Sequence, residues 1–520
     1  MATLNFNKDT LIKLSIKNSF FSSLGSIATL LVSMFAAGYS IRILGEALAG
    51  FLMLMQTIIG VSSSLTDFGF GTSVVKAISE AHAVDDSKKI EDTIKATSFF
   101  NILIAIFLGI IIAAFAFYIV VWAKVGSHYM AGAQLSIYFF VLSFLINTSI
   151  SSYRALPSAL QRFEFASLIS GFQAITSGGI QILILIYYPS ILNLAIGSLI
   201  ASIIQLFLII WVTYKLLGKF IVPMSNWKVI KELFGYSTIV FITGLVYQAR
   251  NYSDRWILTS LEGAVVLPGY VLGQTLMQKV LSFVASPFYF LFPMLSSSSV
   301  QMDKKKVFKI YSNFHWFVSI IGTFIFISIA LNSFWILEVW IKQDFAIKYN
   351  YLFQFACLQG VFASFSVVPH FSSFGLGKPS NNLWEASLTA SMVLVLSLIM
   401  IPIIGVFGAA IAQLLAYILM AIFIQFQIKK TIFNEFNLIE LFRPILPSVI
   451  IGCSSFLFLF YLSFKNVFIN LSFIDIVILN LLIGFIIIMV VMAEKYLNKN
   501  SGRYQIFIDA LSIIKKKAFA

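Results

Sequence analysis

The sequence predicts an all-α polytopic membrane protein of about 14 transmembrane helices, two pseudo-symmetric six-helix bundles followed by two further helices. Three observations carry that reading. Hydrophobic residues make up 59% of the 520-residue chain and charged ones only 11%, with a mean hydropathy of +0.94. So little charge could not cover the exterior of a soluble protein this size. Runs such as "NILIAIFLGIIIAAFAFYIVVW" (Asn101 to Trp122) and "IDIVILNLLIGFIIIMVVMA" (Ile474 to Ala493) reach the roughly 20 residues that a bilayer core requires. The turn chemistry of the first half also recurs in the second.

Apolar runs bounded by charge, Pro or Gly place helices at 19–44, 48–75, 96–122, 130–153, 163–187, 191–214, 234–260, 266–295, 308–337, 350–374, 381–402, 404–428, 442–464 and 472–493. They group as an N-terminal bundle over 1–218, a C-terminal bundle over 219–433, and two additional helices with a basic tail over 434–520. The connections are too short to hold a soluble domain. The opening "MATLNFNKDTLIKLSIKNSFF" reads as a basic amphipathic lead into the first span. A secretory signal would have a shorter apolar core, ended by a small-residue cleavage site. Cys357 and Cys453 lie in apolar stretches with no metal-ligand spacing and read as buried bystanders.

The basic residues divide by side. With the N-terminus inside, the inner loops receive Lys8, Lys13, Lys17, Lys76, Lys88, Lys89, Lys95, Lys215, Lys219, Lys228 and Lys231. "DKKKVFK" (Asp303 to Lys309), Lys429, Lys430, Arg443 and the tail, with its "KKK" at 515–517, join them. Counting Arg154, Arg162 and Lys378 too, about 27 of the 35 basic residues fall inside, the bias of cytoplasmic loops. Both termini are expected in the cytoplasm, with the protein in the cell (inner) membrane. The net charge of +14 then reflects topology, and a nucleic-acid partner is not expected.

"RILGEALAGFLMLMQ" (Arg42 to Gln56) has its counterpart in "RWILTSLEGAVVLPGYVLGQ" (Arg255 to Gln274). Leu160 to Ser202 likewise matches Leu376 to Gln413: a basic residue opens a helix, a Pro ends it, and a small-residue run begins the next. Gly197, Ser198 and Ala201 answer to Gly408, Ala409, Ala410 and Ala412, residues small enough for membrane helices to approach closely. Repeats that begin on the same side of the membrane would be related by an axis along its normal, a known transporter design.

These segments resemble a known family. "RILGEALAGFLMLMQTIIGVSSSLTDFGFGTSVVK", "SDRWILTSLEGAVVLPGYVLGQ", "ALQRFEF" and "IPIIGVFGAAIAQLLAYIL" are similar, in order and spacing, to the polysaccharide flippases of the MOP (multidrug/oligosaccharidyl-lipid/polysaccharide) superfamily. The resemblance reaches to about residue 430. It implies a V-shaped pair of six-helix bundles opening alternately inward and outward. It also implies transport of undecaprenyl-pyrophosphate-linked oligosaccharide, as by Wzx-type O-antigen flippases. The implied partners are that lipid-linked oligosaccharide, membrane lipids, a polysaccharide polymerase and a chain-length regulator.

The charged residues inside apolar segments are the candidate site. Lys279, within "VLGQTLMQKVLSFVASPFYFLFPML", costs at least about 2.5–3.5 kcal/mol at mid-depth unless it meets water or a partner. One reading places it in a hydrated cavity facing the pyrophosphate or acidic sugar of the cargo. The other gives it an ion pair, with Asp254 for example, or a snorkelling path along a tilted helix. In "YQARNYSDRW", Arg250 and Asp254 are spaced i,i+4 and can neutralise each other. Either they form that pair near the outer end, with Arg255 at the headgroups, or Arg250 grips phosphate beside Lys279. Arg42 ends the first helix, as an outer headgroup anchor or a lining of the outward cavity. Asp67 in "LTDFGFG" stands between a turn-capping role and ion coupling. His315 and His370 stand between interhelical hydrogen bonding and proton relay. "HAVDDSKKIEDTIK" (His82 to Lys95) lacks metal-ligand spacing and reads as a solvated inner loop. Tryptophans at helix ends, including Trp122, Trp256, Trp335 and Trp340, read as interfacial anchors.

No GxxxxGKS/T phosphate loop occurs, so no nucleotide or other cofactor is expected. Three functions compete. A flippase for an anionic lipid-linked glycan suits Lys279 and Arg250. A MATE-type cation-coupled multidrug antiporter would want a cavity dominated by carboxylates, in twelve helices. An enzyme would want a sizeable extramembrane loop or an acidic catalytic cluster. A cysteine placed in the 301–306 loop is expected to react with an impermeant maleimide only once the cytoplasmic face is opened. Labelling from outside intact cells would reverse the orientation.

Overall fold

The computed structural model describes residues 8–68, 70–288, 291, 295, 303–464, 478–482, 484, 485, 488, 489 and 492, and these are helical with short connections. Eight helical segments among them are long and apolar enough to cross a membrane, by length and composition. Of the eight, Ser380–Thr431 contains two of the spans read from the sequence, 381–402 and 404–428, and Leu31–Asp67 overlaps two more, 19–44 and 48–75. The last predicted helix, at 472–493, lies mostly outside the described residues, as do the end of the 266–295 helix and the basic tail. Compact packing divides the chain into a first unit ending at Pro268 and a second beginning at Gly269.

The first unit contains α1 (Lys8–Asp67), α2 (Phe70–Ala83), α3 (Ser87–Ala114), α4 (Ala116–Trp122), α5 (Met130–Ser149), α6 (Ser151–Ala159), α7 (Phe163–Tyr187), α8 (Ile191–Leu217) and α9 (Trp227–Glu262). Its helix starts are capped where hydrogen-bonding side chains stand ready. Asp86 accepts from the Lys89 amide at 2.9 Å, Ser190 from Asn193 at 3.1 Å, and Asn226 from Val229 at 3.4 Å. Gly218 closes α8 in the left-handed region. Helix α1 is broken at Gly45, where the two predicted spans meet. The predicted 48–75 helix does not run through: α1 stops at Asp67, Phe68 turns with φ of 45°, and α2 restarts at Phe70.

Helix α10 (Leu267–Ala285) leads into the second unit, which continues with α11 (Lys304–Leu331), α12 (Ser333–Trp340), α13 (Gln343–Ser364), α14 (Val367–Gly375), α15 (Ser380–Thr431), α16 (Leu438–Phe442) and α17 (Leu446–Phe464). Helix α13 is its spine, buried along nearly its whole length. Small residues let the neighbours close on it. A Cβ at Gly269 would strike the Tyr349 ring, one at Gly322 the Ser364 side chain, and one at Gly452 would lie 3.0 Å from Val361. Through Gly452, α17 packs into this unit.

The same order of elements appears in both units. A long helix followed by a short one, α3 with α4, answers to α11 with α12. A second long-short pair, α5 with α6, answers to α13 with α14, and each short helix carries a proline, Pro157 or Pro369. The turn after each is made by a residue of positive φ, Gln161 at 55° and Gly377 at 73°. Gly45 and Gly263 share almost one conformation, φ/ψ of 77°/173° and 85°/176°, a region open essentially to glycine.

Two glycines mark the matching hairpins and differ in what they face. The atoms nearest a Cβ at Gly197 on α8 would be side-chain atoms of Ile184 and Ile180 on α7, the Ile184 Cδ1 methyl first. A Cβ at Gly408 would meet the main chain of Met400 and Ile401. Eight residues span about 12 Å in a continuous helix, so α15 doubles back here, at the non-helical Ile404 and Gly405. Gly408→Ala is therefore expected to cost about 1–3 kcal/mol and lower the thermal midpoint of the purified protein. Gly197→Ala should be tolerated within a degree or two. Equal losses would show that side-chain and main-chain contacts are equivalent at these hairpins.

Candidate functional site

Helix α9 lies antiparallel along the second segment of α1, and both belong to the first unit. The Gln248 amide donates to the Ser64 hydroxyl. The Tyr252 hydroxyl stands 3.3 Å from where a Gly60 Cβ would be. Arg255 Nη1 donates to Thr57 Oγ1 at 3.4 Å. Spacings of four and three residues put Gln248, Tyr252, Arg255 and Thr259 on one face of α9, and that face meets α1. At the end of the helix the Ala264 amide donates to Ala123 O at 2.9 Å. Lys124 Nζ donates to Leu261 O at 2.7 Å. Trp122 stacks on Trp256 with ring centroids 5.3 Å apart and donates to Ser260 Oγ at 3.1 Å.

Arg255 is 8% exposed. Burial of a guanidinium requires compensation. Here it comes from Thr57 and from the face of Tyr252, whose centroid lies 4.8 Å from Arg255 Cζ. Asp254 is 1% exposed, and its Oδ1 accepts from the Arg255 amide at 2.8 Å. Arg250 and Asp254 lie on the side of α9 away from the α1-facing stripe, at 100° per residue. The half-buried Arg250 has its Cζ 4.9 Å from the Tyr247 centroid and its Nε 3.5 Å from Asn251 Oδ1.

The other candidates are dispersed. Arg42 is exposed, three residues before the Gly45 break. Asp67 ends α1, and its Oδ2 accepts from the Gly71 amide at 3.2 Å across the break to α2. Ten residues of helix, about 15 Å, separate it from Thr57 and the Arg255 contact. Lys279 is half-buried on α10. Within its own unit no carboxylate among the described residues lies in ion-pair range of it. His370 is half-buried on α14, beside Phe374 with ring centroids 5.1 Å apart. His315 is buried, and its Nε2 lies 3.0 Å from the Phe365 carbonyl, an interhelical hydrogen bond.

Several buried polar groups were not anticipated. Glu385 on α15 is 5% exposed, close in sequence to Asn381 and Asn382. Asn381 donates to Thr431 Oγ1 at 2.8 Å, and Asn382 to the His370 carbonyl at 3.3 Å. In the first unit Gln181 donates to Ser40 Oγ at 2.7 Å, joining α7 to α1. Arg154 on α6 donates to Asn147 Oδ1 at 2.8 Å. The usable signal was polar spacing of four residues inside apolar helices, as in Ser143/Asn147 and Ser198/Ser202. Among the described residues no group of three His, Cys, Asp or Glu side chains is placed to hold a metal. Asp86 in the 82–95 stretch serves as the α3 cap.

A family model described as polysaccharide biosynthesis protein matches residues 15–299, more than half of the chain. Among individually curated proteins no sequence matches. Solved structures share the fold. The lipid II flippase MurJ in an inward closed conformation superposes with a TM-score of 0.68 at 17% identity, over 93% of this chain and 99% of that one. An inward-facing multidrug resistance MATE family transporter of the MOP superfamily gives 0.57 at 12%, over 78% and 99%. The MATE transporter VcmN of Vibrio cholerae gives 0.54 at 13%, over 83% and 98%. This chain is thus a multi-pass membrane protein of the polysaccharide biosynthesis protein family, with the fold of MOP-superfamily flippases and transporters.

Proposed function

We propose that this protein is a flippase that moves an undecaprenyl-pyrophosphate-linked oligosaccharide, an O-antigen or other surface polysaccharide unit, from the inner to the outer leaflet by alternating access. The observation that carries the reading is cationic charge held inside apolar helices. Arg250 lies on the face of α9 turned away from α1, over Tyr247. Lys279 is half-buried, and among the described residues of its own unit no carboxylate lies in ion-pair range. A guanidinium offers two parallel donors to a phosphate and an ammonium offers a mobile point charge. Arg42 and Asp254 complete the proposed substrate-binding set, with Asp254 orienting its neighbours. Asp67 and His370 are the candidate ion-coupling groups.

Family membership supports a saccharide cargo, and the fold likeness to a lipid II flippase supports a lipid-linked one. The cargo crosses chemically unchanged, so the protein is read as a transporter and not an enzyme. It would sit in the cell (inner) membrane with cytoplasmic termini, supplying a polymerase and a chain-length regulator at the outer face. The buried carboxylates of Asp254 and Glu385 favour a second reading, a MATE-type cation-coupled multidrug antiporter.

Deleting the gene in its native bacterium is expected to accumulate lipid-linked oligosaccharide on the cytoplasmic side. Wild-type protein should rescue export, and Lys279→Gln at equal protein level should reduce it at least tenfold. Sensitivity to cationic drugs without accumulation would move the assignment to the antiporter. In the exchanged variant Arg250→Asp with Asp254→Arg, export is expected to fail although the protein reaches the membrane. Export retained there would make the two residues a structural pair.

A further inference from the structure

Helices α5 and α8 of the first unit are apolar, yet polar side chains run along their contact. The Ser143 and Ser198 hydroxyls are 3.0 Å apart, and Asn147 Nδ2 donates to Ser202 Oγ at 2.7 Å. The matching contact in the second unit joins Gln359 Nε2 to Gln413 Oε1 at 3.4 Å. Such bonds glue membrane helices and need no ligand. The first unit adds something the glue does not require.

Arg154 Nη2 donates to Asn147 Oδ1 at 2.8 Å. Its Nε is buried without a partner, and among the described residues no carboxylate lies within ion-pair range. A guanidinium does not shed its proton to escape burial, so its surroundings must supply negative potential. Close by in register, Gln205 on α8 is 1% exposed, and neither its Oε1 nor its Nε2 has a partner. Buried carboxamides are nearly always hydrogen-bonded, so one with neither end paired calls for an explanation.

The register brings these two groups to one level. The pairs 143/198 and 147/202 share one offset of 55 residues, so Gln205 stands level with Ile150. Side chains on a helix lean toward its N-terminus. The Arg154 side chain, in reaching Asn147 seven residues back, covers about 10 Å of rise together with Asn147 and so passes that level. Arg154 itself is only half-buried, which leaves an approach to the site.

We propose that Arg154 and Gln205, between α5, α6 and α8, form a binding site for a small inorganic anion of the halide class. One guanidinium charge matches one negative charge. The Arg154 Nε–H and the Gln205 amide supply fixed donors, and the Ser202 hydroxyl, one turn before Gln205, can rotate to add its own. The site lies wholly in the first unit and does not depend on what the protein transports.

The test compares thermal midpoints of the purified full-length protein in sodium chloride, sodium bromide and sodium gluconate at equal ionic strength. Chloride and bromide are expected to raise the wild-type midpoint saturably, by several degrees over gluconate. Arg154→Gln and Gln205→Leu should each lose that rise while keeping a cooperative transition in gluconate. No halide-specific rise in the wild type, or an undiminished rise in Gln205→Leu, overturns the proposal. The second variant decides even if Arg154→Gln fails to fold. A rise with inorganic phosphate and none with chloride would overturn the halide assignment.

Discussion

Inside hydrocarbon a backbone amide finds no water, and each one left unbonded costs several kcal/mol. That constraint shapes the rest of the chain. Every described span is helical, and each interruption is confined to one or two residues able to make it. Gly45, Gly263 and Gly405 supply backbone angles that other residues rarely adopt. At Asp67 the side chain itself takes over, accepting the Gly71 amide that α2 cannot bond internally. Breaks at Phe115 and Asn332 are milder, since their amides still bond back into the preceding turn.

The same poverty of partners governs the charges. Arg255 is held by an aromatic face and a threonine, and Arg154 by a carboxamide. Opposite charges could have neutralised each of them at similar volume. A neutral cage instead keeps the positive potential unspent, and it then extends to whatever enters the neighbourhood. For the anionic cargo proposed above, this is a more useful arrangement than a closed ion pair.

Much of the fold was legible in the sequence because helix ends are written in local chemistry. "ILGEALAG" and "PIIGVFGAA" placed the turns at 45 and 405 to within a residue or two. The Phe68 break was legible only in part: "LTDFGFG" allows a turn-capping role for Asp67, yet the apolar pattern carries the predicted helix on to residue 75, and the decision rests on a capping bond across the gap. The site was legible in kind and less so in detail. Charge inside apolar helices pointed to α9, but the burial of Arg255 depends on Tyr252 and on Thr57 of α1, almost 200 residues earlier. The 130–153 span read from the sequence ends just before Arg154, whereas α6 continues to Ala159 and the Arg154 side chain reaches back to Asn147 of α5.

The two matching hairpins close differently, and stiffness follows from that difference. Where Gly197 faces isoleucine side chains, a small sliding of α7 on α8 is absorbed by changes of rotamer. Where Gly408 lies against the Met400 carbonyl, no rotamer exists to change, and both arms of α15 must travel together. A duplicated scaffold has thus yielded one compliant stave and one rigid one. Mechanical compliance would be concentrated in the first unit, however similar the two look as drawings of helices.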